Sequence, residues 1–209
     1  MKTILDFVEN LESPRRSPVE ITGVGRDDLA VFFREAGFRV GVELGVEQGL
    51  FTEVLAKSNP EAKIYAIDAW EAYRGYRDHV SQSKLSDFYL EANRRVRDLN
   101  VELVVAFSMD ALEQFDDESL DFVYIDANHE LPYVIRDIIE WSKKVRKGGV
   151  VSGHDYYESK RISTKNHVKY AVDCYTRSYR INPWFILGSK AKNDGEIRDK
   201  SRSWMWVKR

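Results

Sequence analysis

Apolar residues recur along this chain in two rhythms. Short, nearly continuous apolar runs fall at residues 39–44, 63–67, 101–107, 120–125 and 150–152. Between most of them, apolar side chains return every three or four positions. The runs suit strands buried on both faces of a sheet, and the spaced stretches suit amphipathic helices. Helices are expected at 27–36, where Leu29, Phe32 and Phe33 turn inward and Gly37 stops the helix, and at 50–57, 83–99 and 132–145. Such alternation builds parallel βαβ units, with helices on both faces of the sheet. The ending differs. Residues 184–187 and 203–207 are strand-like, and the polar connection between them, with Gly188, Asn193 and Gly195, has no room for a crossover helix. That pair is expected to be antiparallel. The fold class is therefore α/β: a mostly parallel, seven-stranded sheet closed by a C-terminal antiparallel hairpin. Ahead of it, Ile4, Leu5, Val8 and Leu11 have helical spacing, and the Ser13-Pro14-Arg15-Arg16-Ser17-Pro18 stretch breaks the pattern.

Composition narrows the partners. The 209 residues carry 32 basic and 34 acidic side chains, a formal net charge of −2, which argues against a dedicated nucleic-acid binder. Local basic clusters (Arg94, Arg95 and Arg97; Lys143, Lys144, Arg146 and Lys147) are expected on solvated helix faces and helix ends. Nowhere do 18 consecutive apolar residues occur, and residues 1–11 lack the uninterrupted run of a signal peptide, so a cytoplasmic protein away from membranes is expected. Cys174 is the only cysteine and is expected as a buried apolar thiol, which leaves no intramolecular disulfide and no thiolate metal cluster.

Chemistry gathers where strands end. Val42-Glu43-Leu44-Gly45-Val46-Glu47-Gln48-Gly49 joins the first run of the alternation to a helix, and its glycines let backbone approach a ligand. Asp68 ends the next run, 25 residues beyond Glu43, where a carboxylate can accept both hydroxyl protons of a ribose. Ile125-Asp126-Ala127-Asn128-His129 ends the fourth run and Gly153-His154-Asp155-Tyr156 the fifth. In open α/β sheets ligands sit outside the carboxyl ends of the strands, so Gly45, Asp68, Asp126 and Asp155 are expected on one rim. Paired carboxylates beside an imidazole suit a divalent cation such as Mg²⁺ together with a general base.

These motifs resemble the class I S-adenosylmethionine-dependent methyltransferases, whose first motif is an acidic residue followed by glycines. Glu43, Gly45 and Gly49 match it, while Glu47 stands in place of the middle glycine. The resemblance spans about residues 38–209 and implies a Rossmann-like sheet of strand order 3-2-1-4-5-7-6, with residues 1–37 as a helical extension. It implies S-adenosylmethionine as cofactor, held by Glu43, Gly45, Gly49, Asp68, Ala69 and Asp126, with Ser108, Met109 and Asp110 beside the adenine. The Ile-Asp-x-x-His and Gly-His-Asp-Tyr segments are similar to small metal-dependent sugar O-methyltransferases. That likeness implies His129 as base with Asp126 in the catalytic pair, Asp126, His154 and Asp155 as metal ligands, and a small-molecule or sugar hydroxyl as acceptor. Alternatives stay open at this point. They are a metal-free enzyme using His129 alone, an NAD-type oxidoreductase on a related sheet, and a catalytically silent cofactor-binding scaffold. Residues 70–90, with Trp70, Tyr73, Arg74, Tyr76, Arg77 and His79, form an insertion expected to be either a lid or a docked amphipathic helix. The N-terminal helices cover the site from the other side or form a homodimer interface. His79 and His167 are expected at the surface.

Overall fold

The computed structural model describes residues 4–9, 17–73, 81–158, 166–191 and 193–209. Arg74, Tyr76, Arg77 and His79, and residues 13–16 of the Ser/Pro/Arg stretch, lie outside these described residues. The chain opens with helix α1 (Ile4–Glu9), strand β1 (Val19–Ile21) and helix α2 (Arg26–Glu35). Then comes the alternation: β2 (Val40–Leu44), α3 (Leu50–Ser58), β3 (Lys63–Asp68), α4 (Gln82–Val96) and β4 (Val101–Val105). After a short 3₁₀ turn (Ala111–Gln114) follow β5 (Leu120–Ile125), α5 (Leu131–Lys144), β6 (Val145–Gly153), α6 (Val168–Ser178), β7 (Phe185–Leu187) and β8 (Ser203–Val207).

All eight strands join one sheet in the order β1-β7-β8-β6-β5-β2-β3-β4. Pairings β2 to β3, β3 to β4, β2 to β5 and β5 to β6 are parallel; β8 runs antiparallel to both β6 and β7. Counted from β2, this is the Rossmann-like order 3-2-1-4-5-7-6 with its antiparallel hairpin. One strand is added. β1 extends the sheet by pairing parallel to β7, so the segment before residue 38 is not wholly helical. Three residues are too few to show a period, and the partner strand lies far along the chain.

Side chains alternate across the strands and feed two apolar layers. Val42, Leu44, Val123, Ile125 and Val151 meet Val134, Ile138 and Trp141 of α5 and Ala171 and Val172 of α6. On the other face Ile64, Phe122, Tyr124 and Val150 meet Leu29 and Phe33 of α2 and Leu55 of α3. The hydrophobic effect across both layers holds the strand ends in fixed register. Helix α6 escapes the sequence reading, although Val168, Ala171, Val172 and Tyr175 carry helical spacing. Cys174, expected to be buried, is exposed, because those four residues define the inner side of α6 and Cys174 falls on the other.

Candidate functional site

The parallel register draws the site together. Leu44, Ile67, Ile125 and Gly153 lie in one row across β3, β2, β5 and β6. The ladder continues one residue further: Gly45 N–H donates to the Ile67 carbonyl at 2.9 Å, Asp126 N–H to Leu44 at 2.8 Å and His154 N–H to Ile125 at 3.1 Å. The next row is therefore Asp68, Gly45, Asp126 and His154; three of these were expected on one rim, and the fourth residue expected there, Asp155, follows His154 directly. Over Asp68, Gly45 and Asp126 opens a cleft of about 1100 Å³ that also takes in Glu43, Ala69, Ser108, Met109, His129 and Asp155.

Gly45 has φ +83°, and a Cβ there would stand 2.1 Å from the Asp126 carbonyl oxygen. Glycine is needed to let the two strand ends meet, and the same absence of side chain shapes the cleft floor. Glu47 has φ +51°, so the residue standing in place of the motif's middle glycine adopts the left-handed conformation glycine favours. Gly49 caps α3 with φ +75°.

Asp68 holds this loop. Its Oδ2 accepts the Val46 and Glu47 N–H groups at 2.9 and 3.0 Å, and its Oδ1 accepts that of Trp70 at 2.9 Å. Oδ1, which accepts a single N–H, keeps acceptor capacity for a ribose hydroxyl. Below the loop, Glu43 is buried, its Oε2 has no hydrogen-bond partner among the described residues, and burial pushes its carboxyl up to about 8. A buried acid with one unpartnered oxygen at the base of a glycine-lined cleft fits a ligand with its own polar or cationic group.

At the other end of the cleft, Ser108 donates to Asp137 Oδ1 at 2.6 Å. Met109 packs against the core. Sequence reasoning missed Asp137, although a signal existed: it stands among Val134, Ile138 and Trp141 on the apolar side of α5. Burial pushes its carboxyl up to about 7, against the opposing pull of the Ser108 hydroxyl and Arg136. The folded protein thus holds a proton here that the unfolded chain releases near pH 4. This contribution to stability is full below pH 4 and is lost as pH rises to about 7. We expect Asp137→Asn to gain stability relative to wild type between pH 5 and pH 8, by on the order of a few kcal/mol, in urea denaturation. An unchanged difference between the two pH values would remove the buried proton.

His129 stands between two carboxylates, with Nε2 3.1 Å from Asp155 Oδ2 and 3.4 Å from Asp126 Oδ1. Burial opposes ionisation of Asp126, but His129, His154 and Arg26 outweigh it and hold its carboxyl below the ordinary range. Asp155 moves the other way, raised by burial and by the neighbouring Asp126. Asp155 reaches the cleft through a left-handed φ of +59°. His154 takes the opposite side: its Nδ1 is 3.9 Å from Asp126 and from Asp155, while Nε2 lies 3.3 Å from Asp199 Oδ2. One ligand atom from each of Asp126, His154 and Asp155 can lie within 4.8 Å of the others. Two carboxylate oxygens and an imidazole nitrogen make a donor set that suits a divalent cation. His167 is more than a surface residue: its Nδ1 accepts the Leu131 N–H at 3.0 Å and its N–H donates to the His129 carbonyl at 2.9 Å, fixing the loop that carries His129.

Of the expected insertion, residues 70–73 and 81–90 are described; the latter open α4, whose Leu85 joins Trp70 and Val46 in an apolar cluster, while the Tyr73 hydroxyl accepts from Asn128 Nδ2 at 2.6 Å and its ring meets Phe107 edge-on at 5.4 Å. No helix among the described residues is long and apolar enough to cross a membrane.

Comparison with known proteins bears on the family and the fold. Residues 42–156, more than half the chain, match a family described as "Methyltransferase domain". The chain belongs to that methyltransferase family, and the NAD-type reading is set aside. Among solved structures, the O-methyltransferase TomG of Streptomyces achromogenes, involved in tomaymycin synthesis and in complex with SAM, is 18% identical at a TM-score of 0.60, over 87% of this chain and 78% of that one. An O-methyltransferase from Bacillus cereus in complex with SAH is 19% identical at a TM-score of 0.59, over 98% and 87%. Spermidine synthase from Thermotoga maritima shares the fold at a TM-score of 0.58 and 12% identity, over 86% of this chain and 57% of that one. These likenesses concern the fold. Among proteins of curated function, none matches by sequence.

Proposed function

We propose that this chain transfers a methyl group from S-adenosylmethionine to a hydroxyl oxygen of a small molecule, a sugar-like polyol being the favoured acceptor class. The observation that carries the reading is His129 set against Asp126 and Asp155 at the edge of a cleft floored by Glu43 and Gly45. Structures of the same fold with SAM or SAH bound support the choice of cofactor. S-adenosylmethionine supplies a methyl group made electrophilic by its sulfonium. Gly45, Gly49, Asp68 and Ala69 would hold its ribose and methionine portions, Glu43 its ammonium group, and Ser108 and Met109 its adenine. His129 would accept the acceptor hydroxyl's proton, and the flanking carboxylates favour the positive charge the ring then carries. Asp126, His154 and Asp155 would hold a divalent cation, whose charge lowers the pKa of a hydroxyl beside it. Trp70 and Tyr73 border the cleft and would shield the reacting groups from water.

Labelled S-adenosylmethionine incubated with hydroxylated small molecules, with and without chelator, tests the reading. Label is expected in a hydroxyl-bearing acceptor, and chelator is expected to suppress it. Undiminished turnover in chelator would remove the cation, and tight NAD binding without S-adenosylmethionine binding would overturn the assignment. Asp68→Ala is expected to weaken S-adenosylmethionine binding by about 10- to 100-fold in calorimetry, through loss of charge-assisted hydrogen bonds and a slackened loop. Unaltered affinity would show that Asp68 serves the loop alone.

A further inference from the structure

A second hollow of about 450 Å³ lies against the back of His154, lined by Arg26, Arg198, Asp199, Lys200 and Ser201. Its charges are unbalanced. Asp199 is already engaged, Oδ2 with His154 at 3.3 Å and Oδ1 with the Ser201 N–H at 2.8 Å. Arg26, Arg198 and Lys200 make no side-chain hydrogen bond or ion pair with any of the described residues. Arg26 is half-buried, lies 5.1 Å above the Phe51 ring, and lines both this hollow and the main cleft. A guanidinium removed from part of its water without a hydrogen-bond acceptor calls for an oxyanion, and three cations lining one hollow suit a doubly charged one.

We propose that this hollow binds a phosphate group of the acceptor, so that the methylated hydroxyl and an anionic handle lie on opposite sides of the His154 ring. The inference rests on the methyl-transfer reading and deepens it: the acceptor class becomes a hydroxylated phosphate ester. Arg198 and Lys200 line the hollow and not the cofactor cleft, whereas Arg26 borders both. The discriminating variant is therefore the double substitution Arg198→Ala, Lys200→Ala, made on exposed side chains that leave the core intact.

Calorimetric titration of the full chain with inorganic phosphate, in chelator, is expected to give saturable binding that the double variant weakens about tenfold. S-adenosylmethionine affinity and the thermal melt are expected to be unchanged in that variant. Absence of phosphate binding to wild type, or equal binding by both proteins, would overturn the proposal. So would a matching loss of S-adenosylmethionine affinity in the variant, because the cations would then serve the cofactor's carboxylate. A wild-type protein that binds phosphate but not S-adenosylmethionine would sink the methyl-transfer reading and leave the anion site standing.

Discussion

Replacing His129 with alanine is expected to lower methyl transfer by about 10²- to 10⁴-fold while S-adenosylmethionine binds as before. The imidazole sits 3.1 and 3.4 Å from two carboxylates, and its loop is tied from behind by the His167 N–H, so its placement is rigid. Such a ring contributes most when it carries a proton away, and little when the cofactor docks. The matching measurements are single-turnover rates and calorimetric affinity for the cofactor. A fully active His129→Ala protein would move the base elsewhere. A fall in cofactor affinity as large as the fall in rate would recast His129 as a binding residue.

The second large effect is expected from Gly45→Ala. A left-handed backbone costs an L residue roughly 1–2 kcal/mol on its own. Here the added Cβ would also meet the Asp126 carbonyl oxygen at 2.1 Å, backbone against backbone with no flexible side chain to yield. The strand ends of β2 and β5 must separate, which disturbs Asp126 and the cleft floor together. We expect a loss of about 3 kcal/mol or more in urea denaturation, with cofactor affinity falling in parallel. Glu47→Gly is the control. Glu47 already holds a φ of +51°, so glycine there is expected to leave stability within about 1 kcal/mol. If Gly45→Ala proved as mild as Glu47→Gly, the close approach of the two strands would not constrain the site.

Parallel strands covered on both faces leave continuous apolar runs, so β2 to β6 and the convergence of Asp68, Asp126 and Asp155 were legible. The hairpin was legible because its connection lacks a helix. β1 was not, since its identity depends on β7, more than a hundred residues away. Orientation was harder than position. His154 and Asp155 are adjacent, yet one turns to the second hollow and the other enters the cleft through a left-handed φ of +59°. Arg26 and Asp137 entered the site through tertiary packing. Asp137 alone left a trace, as an acid on an apolar helical stripe.

The edge strand β1 has a consequence for how the chain becomes a protein. Ser17 Oγ donates to Asn182 and accepts the Trp184 N–H, joining residues 165 and 167 positions apart, and β1 then zips onto β7. Closure over so long a separation is slow relative to the local βαβ contacts. During synthesis β1 must wait until β7 has emerged, so a ribosome-bound intermediate would carry the βαβ body already formed and this seam still open.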